Sequence, residues 1–466
     1  MITQVYYRPH VYSPGYNPVV WSVQSDKTTE TDFNYVFDIY VNGDNNYKYR
    51  LKQRPNPVGA GMVDVSSIIT PYLNLTNFQA EEGSTGAYFE NSDKIVANVF
   101  VAVGEEYYTA ANGYKIYDGT TDTVAEPNYF VYSQEWPGPG DEQAVRITPA
   151  SFNDNQALLN LSLDEVGLLK PYLMNTGALG AYGKFLKNGP NTNYVRDIDH
   201  HTLTFLNWND YAALSVEAPV QLFKVDYIGS TGSPVTELIY NKVSNGGGPQ
   251  LDETYDVATR TRETEMLTLK CGPKDIWPSG PVPSSYTVTA FCKTSATASI
   301  QPGATASETV TFTLKDYCED IYPVVRLSWL NELGGRDYYN FDSFYEQISS
   351  SEEDVYSQTL LKWSSTTPVN VGDPTNNWLR GGNKSFNKTV EKEITIMSDW
   401  LTQEEIDFLG GIPESPSVWA YIGDEPSPMT VTITNLEYQY KKIKMVKLAQ
   451  ASFTMKINKI QIRQNL

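Results

Sequence analysis

The sequence predicts a mainly β protein, built of several sandwich-like or barrel-like modules with a few short helices. Three observations carry that expectation. Apolar and polar residues alternate with period two along many short stretches, the pattern of half-buried strands. Clusters of Gly, Asn, Asp and Pro separate those stretches at the spacing of tight reversals. The helical signals are short and most are limited by proline. With 466 residues the chain also exceeds what one core organises, and about three domains are expected.

Taken in order, residues 19–23, 33–41 and 47–52 read as an antiparallel meander, with Asn42-Gly43-Asp44 as the turn before the last. Asp64 begins a short helix over 65–73 that Pro71 limits, and residues 95–103 return to strand. Together these make an N-terminal module over 1–135. A strand-helix-strand continuation over 136–210 follows, with a capping box at Ser162 and Glu165 and a proline limit at Pro171. Both short helices end in Pro-Tyr-Leu, at 71–73 and 171–173, which reads either as a duplicated unit or as chance. Residues 211–345 form a central sandwich-like domain, with strands at 220–228, 235–240, 264–269, 286–291 and 309–314.

That domain ends in the most distinct local signal, residues 323–341. Val325, Leu327 and Trp329 alternate with Val324, Arg326 and Ser328 as a half-buried strand, and Gly334-Gly335 supplies the positive φ of a tight turn. Trp329 is expected in a core. Arg336, Asp337 and Tyr338 are expected at the tip, where a neighbouring subunit or module touches them. Residues 346–385 read as a loop-rich connector, polar and acidic at 349–354. The C-terminal module, 386–466, carries strands at 389–397, 418–422 and 429–433, and further pairing after residue 438. Its one capped helix, 402–410, opens on a Thr402–Glu405 capping box and stops at Gly410, Gly411 and Pro413.

Composition narrows function. A net charge of -20 argues against a general nucleic-acid binder, because phosphate contacts need cationic surface. Three cysteines without C-x-x-C spacing fit assembly in a reducing cytoplasm. No apolar run approaches the roughly 20 residues that span a bilayer, so membrane insertion is not expected. The 33 tyrosines suit sheet faces and wet subunit interfaces.

Signals for catalysis are sparse: no nucleophile elbow, no H-E-x-x-H and no zinc spacing of cysteines is present. Gly177, Gly180, Gly183 and Lys184 imitate a phosphate loop, but the interval is one residue too long and Phe185 stands where Ser or Thr is needed. Asp316, Glu319 and Asp320 offer carboxylates whose separation no sequence reveals. No catalytic residue and no cofactor is assigned. Asp197, Asp199 and His201 would share one face of a strand and so form a candidate divalent-cation site, or else a solvated edge that discourages stray pairing. From 441 to 466 the chain carries Lys441, Lys442, Lys444, Lys447, Lys456, Lys459 and Arg463 and no acidic residue. This basic segment reads as a docking edge for an acidic face of the next subunit, or as a solvated strand. On the docking reading, removing it leaves folded subunits that do not close into rings.

Several stretches together resemble segments in virion proteins of crAss-like and other Bacteroidetes-infecting tailed phages. They are residues 19–23, Arg54-Pro-Asn-Pro57 with 59–65, and 329–337. In the C-terminal module they are 400–409, 415–421 and 429–434. The resemblance covers both ends and the hairpin, and the middle, from about 105 to 310, poorly. It implies a non-enzymatic β-rich component of the tail or neck, assembled in the host cytoplasm as a homo-oligomeric ring, twelve-fold in the family pattern. Such a ring surrounds the DNA passage, contacts adjacent tail and neck proteins, and lets genomic DNA pass without specific binding. A receptor- or glycan-binding tail spike or fibre is the alternative.

Overall fold

The computed structural model describes residues 2–9, 12–41, 47–73, 89–91, 96–109, 113–117, 128–131, 144–146, 171–174, 183–207, 220–240, 266–292, 304–315, 323–358, 382–423, 428–434 and 450–462. The protein is mainly β with a few short helices, and the described strands form five sheets. The chain divides into two compact units. One comprises Met1–Asp316 with Trp329–Tyr338, the other Tyr317–Ser328 with Tyr339–Leu466. Contacts therefore assign the outer part of the 323–341 hairpin to the first unit and its stems to the second.

The first unit holds two hydrophobic cores. One is built by two sheets, ordered Ala144–Arg146, Ile2–Pro9, Val20–Ser25, Ala60–Asp64 and Tyr12–Pro14, Asn128–Val131, Val96–Thr109, Thr31–Val41, Tyr49–Gln53. Strand Thr31–Val41 shows why. Phe33, Tyr35, Phe37, Ile39 and Val41 fall at period two and all enter this core with Trp21, Val23, Val99 and Val101. On its other face the buried Asp38 carboxylate accepts two hydrogen bonds from Arg50, both at 2.6 Å. That bidentate geometry offsets the cost of burying the charge. Gly61 leaves room for the Tyr35 ring, whose carbons would lie 2.4 and 2.5 Å from an added Cβ. The Tyr35 hydroxyl, in turn, donates to the Gly59 carbonyl at 2.7 Å. Val20–Ser25 pairs with Ala60–Asp64, so the two N-terminal stretches that carry the resemblance are neighbours in one sheet.

The second core lies between the sheet Leu173–Met174, Thr202–Asn207, Met266–Lys270, Phe89–Asn91 and the sheet Thr192–Val195, Val310–Leu314, Ser285–Cys292, Val220–Ile228, Pro234–Tyr240. Its aromatic centre is Phe185, Phe205, Phe223, Tyr286 and Phe312. The expected helix over 65–73 is one α-turn, Ser66–Ile69, followed by a 3-10 turn, Thr70–Tyr72, that contains Pro71. The Asp64 carboxylate accepts from the Ser66 amide at 2.9 Å. Tyr72 and Tyr172, the tyrosines of the two Pro-Tyr-Leu endings, both lie in 3-10 turns. The capping box at 162–165 lies outside the described residues.

The second unit is dominated by the fifth sheet, seven strands in the order Arg336–Phe341, Val325–Leu330, Val418–Ile422, Met429–Ile433, Ser452–Ile462, Gly382–Met397, Phe344–Gln358. One expectation is corrected here. Residues 349–354 are not connector but the middle of the fifteen-residue strand Phe344–Gln358, which pairs with sixteen-residue Gly382–Met397 along its whole length. Backbone pairing needs no apolar side chain, so a polar ribbon escapes pattern reading. The helix Gln403–Leu409 starts at Thr402 as expected, with Thr402 Oγ1 accepting from the Glu405 amide and Glu405 Oε2 from the Thr402 amide. It ends at Leu409 with Gly410 as its C-cap, as expected. Gly410 is right-handed and leads into a further turn, Gly411–Glu414, in which Pro413 sits within the first turn, where its missing N–H costs nothing.

Candidate functional site

Within the first unit, the hairpin tip and residues 185–202 form a buried polar network. Strand Val325–Leu330 is buried on both faces rather than half-buried, and Trp329 is in the interior as expected. The turn is closed by Asn331, whose side-chain oxygen accepts from the amides of Leu333 and Gly335, each at 3.0 Å. Its amide nitrogen donates to the Leu186 carbonyl and to Asp337 Oδ2, each also at 3.0 Å. Only Gly334 uses a positive φ, +89°. Gly335 serves a different need, since a Cβ there would lie 1.8 Å from the Leu186 carbonyl oxygen.

Asp337 is buried and accepts from the Asn188 amide at 3.2 Å. Burial raises its carboxyl from the ordinary 3.8 to about 6, against the opposing pull of hydrogen bonds from Asn331 and Asn188 and of the Lys187 charge. Burial lowers the Lys187 ammonium, which Glu308 and Asp337 partly restore. Lys187 Nζ donates to the carbonyls of Gly189 and Pro190 at 2.8 and 2.9 Å. The Tyr338 hydroxyl lies 2.7 Å from that of Thr202, and its ring packs on His201 with centroids 4.3 Å apart. Arg336 is buried as well. Arg336, Asp337 and Tyr338 are thus buried, and residues 186–202 of this same chain touch the tip, which is the module alternative of the expectation.

The Asp197, Asp199 and His201 cluster is also rearranged. Residues 196–201 form a turn after strand Thr192–Val195, so the shared strand face does not exist. Asp197 is exposed, whereas Asp199 is buried against Arg196, accepting from its backbone amide at 2.9 Å and from Nε at 3.0 Å. His201 is an aromatic core residue between Phe312 and Tyr338. Its neighbour His200 instead places Nδ1 2.7 Å from Asp275 Oδ1. Among the described residues no three His, Cys, Asp or Glu side chains come together as a metal site. In the imitation phosphate loop, Phe185 is a core residue and Lys184 is exposed. The acidic trio at 316, 319 and 320 lies outside the described residues.

The basic C-terminal segment divides. Lys441, Lys442, Lys444, Lys447 and Arg463 lie outside the described residues. Lys456 and Lys459 sit on strand Ser452–Ile462, which is no edge: it lies between Met429–Ile433 and Gly382–Met397. Lys456 pairs with Glu391 and Glu393 of the adjacent strand at 3.1 and 3.4 Å, and both raise its pKa. Phe453 and Met455 of the same strand are buried. Deleting residues from 441 onward therefore removes an interior strand, and the expectation of folded, truncated subunits is corrected.

The residues that sequence reasoning missed are Lys187, Asn188 and Asn331. Asn331, four residues before Gly335, carried the legible hint of a side-chain-closed turn. No helix among the described residues is long and apolar enough to cross a membrane. Compared with protein-family models and with curated proteins, the chain matches none.

Proposed function

We propose that the protein is a non-enzymatic structural subunit of a tailed bacteriophage virion, forming a homo-oligomeric ring of the neck or tail barrel around the DNA passage. The observation that carries this reading is the long ribbon of the second unit. Its strands of fifteen and sixteen residues are about three times the usual length. Residues 346–350 and 354–357 are exposed. Those exposed stretches of Phe344–Gln358 add nothing to the unit's own core, whereas contact between subunits uses them. The resemblance of the N-terminal strands, the hairpin and the C-terminal module to virion proteins supports the same reading. In it, adjacent neck and tail proteins are the partners and DNA passes without specific contacts.

Electron microscopy of the purified protein and of intact particles tests it. The expected result is a closed cyclic oligomer of more than three copies, seated on the tail axis. A monomer at tens of micromolar, or a trimer projecting from the particle surface, overturns the ring. The trimer would favour the spike or fibre alternative.

A further inference from the structure

From the two edges of the ribbon we infer that subunits join by extending one sheet into the next, the outer edge of strand Phe344–Gln358 in one copy receiving residues 382–388 of a second copy. This deepens the ring reading and rests on it. Strand Phe344–Gln358 is last in its sheet, so one side has no partner strand among the described residues. Strand Gly382–Met397 takes Ser452–Ile462 on its far side only from Thr389 onward. Among the described residues, 353–358 and 382–388 therefore pair as a ribbon of two strands, an arrangement that is marginal in water without a third. Exposed Ile348 and Val355 add apolar surface along it.

The two open edges carry opposite charge. Residues 344–358 contain Glu346, Glu352, Glu353 and Asp354 and no Lys or Arg, while residues 382–390 contain Lys384 and Lys388 and no Asp or Glu. Pairing of like edges about a two-fold axis would set carboxylates against carboxylates or ammoniums against ammoniums. Pairing of unlike edges sets one charge against the other. Such a contact is heterologous and generates a closed ring when the rotation allows. The geometry agrees. The two strands run antiparallel, so a copy set alongside with its ribbon pointing the same way brings its 382–388 segment antiparallel to residues 352–358 of the first. Glu353 is in register with Lys388 and Tyr356 with Lys384, so acidic and basic positions of neighbouring ribbons stand at the same level. The edge has no proline and no lysine. Its carboxylates, and the irregularity between Asp354 and Val355, hinder pairing with another acidic edge rather than with a basic one.

The test uses the full chain with exchanged edge charges. One variant carries Glu352→Lys and Glu353→Lys, a second carries Lys384→Glu and Lys388→Glu, and a third carries all four. Assembly is followed by mass photometry and sedimentation velocity, and circular dichroism checks that each variant keeps its sheet content. Each two-site variant alone should need about tenfold more protein for half-assembly, because like charges now meet. Their equimolar mixture should assemble as alternating copies, and the four-site variant should assemble by itself. Restoration in the mixture is what unlike edges predict and like edges do not. If both two-site variants form rings as the unaltered protein does, the ribbon contact is wrong and the ring reading stands. If both fail and neither the mixture nor the four-site variant recovers, the unlike-edge pairing is overturned. If the unaltered protein forms no closed oligomer at any concentration, the ring reading falls, and this inference falls with it.

Discussion

Two adjacent glycines of the hairpin do different work, and substitution separates them. Gly334 adopts a positive φ, so Gly334→Ala should cost about 1 to 2 kcal/mol in backbone strain. Gly335 does not, yet its missing Cβ lets the turn lie directly on the Leu186 carbonyl. Backbone cannot yield as a side-chain tip does, so Gly335→Ala should cost about 3 kcal/mol. Thermal unfolding orders the two, and an unaffected Gly335→Ala would mean the tip does not dock on residue 186. Asp337 supplies a pH signature in the same network. Its carboxyl titrates at about 6 when folded and near 3.8 otherwise, so as pH rises the unfolded chain releases this proton first. The contribution is fully present below about pH 4 and is lost as pH rises through about 6, on the order of 3 kcal/mol in all. Asp337→Asn should flatten that part of the profile while shifting its level. The readout is the difference in slope between the two proteins in denaturant titrations from pH 4 to 7, and parallel profiles would refute the buried-carboxylate account.

Among the elements, those specified by their own residues were legible and those specified by distant partners were not. Strands Val220–Ile228, Val418–Ile422 and Met429–Ile433 occupy the expected spans, because alternation and flanking turns are local facts. The Thr402–Glu405 box is local too, and Thr402→Ala should cost about 1 kcal/mol, read by chemical denaturation, with an unchanged midpoint counting against the cap. The hairpin was legible as a turn but not as a buried one. Period two shows which residues share a face, not whether the other face is also covered, and the tip itself is held by residues 186–188. Residues 196–201 misled because Asp199 bonds back to Arg196, three residues earlier, and closes a turn where the pattern suggested a strand. The interior position of Ser452–Ile462 is a topological fact with no local sign. It predicts that truncation before residue 441 unfolds the second unit rather than freeing it. Phe453→Ala should cost about 3 to 5 kcal/mol there through the cavity left beside Phe341. A truncated chain with a native near-ultraviolet spectrum would show that the sheet closes without this strand.

For the molecule as a whole, the proposed passage of DNA turns on charge. The chain carries 35 basic and 55 acidic residues, and five described cations sit in ion pairs with carboxylates. Arg50 is held by Asp38, Lys52 by Glu106, Arg196 by Asp199 and Lys456 by Glu391 and Glu393. Cations engaged in this way are poorly placed to displace counterions from a duplex, which is the step that drives non-specific binding. An excess of carboxylate instead repels phosphate over a Debye length of about 8 Å, and over a longer distance as salt is withdrawn. The two cases respond to salt differently. A DNA-binding ring would tighten steeply between about 0.2 and 0.05 M salt, whereas a ring that only surrounds a passing duplex should bind no better at the lower value. Anisotropy of a labelled duplex, titrated with assembled protein at both salt concentrations, should therefore stay flat. Binding that strengthens as salt falls would reveal a cationic surface on the assembly and would overturn passage without specific contact.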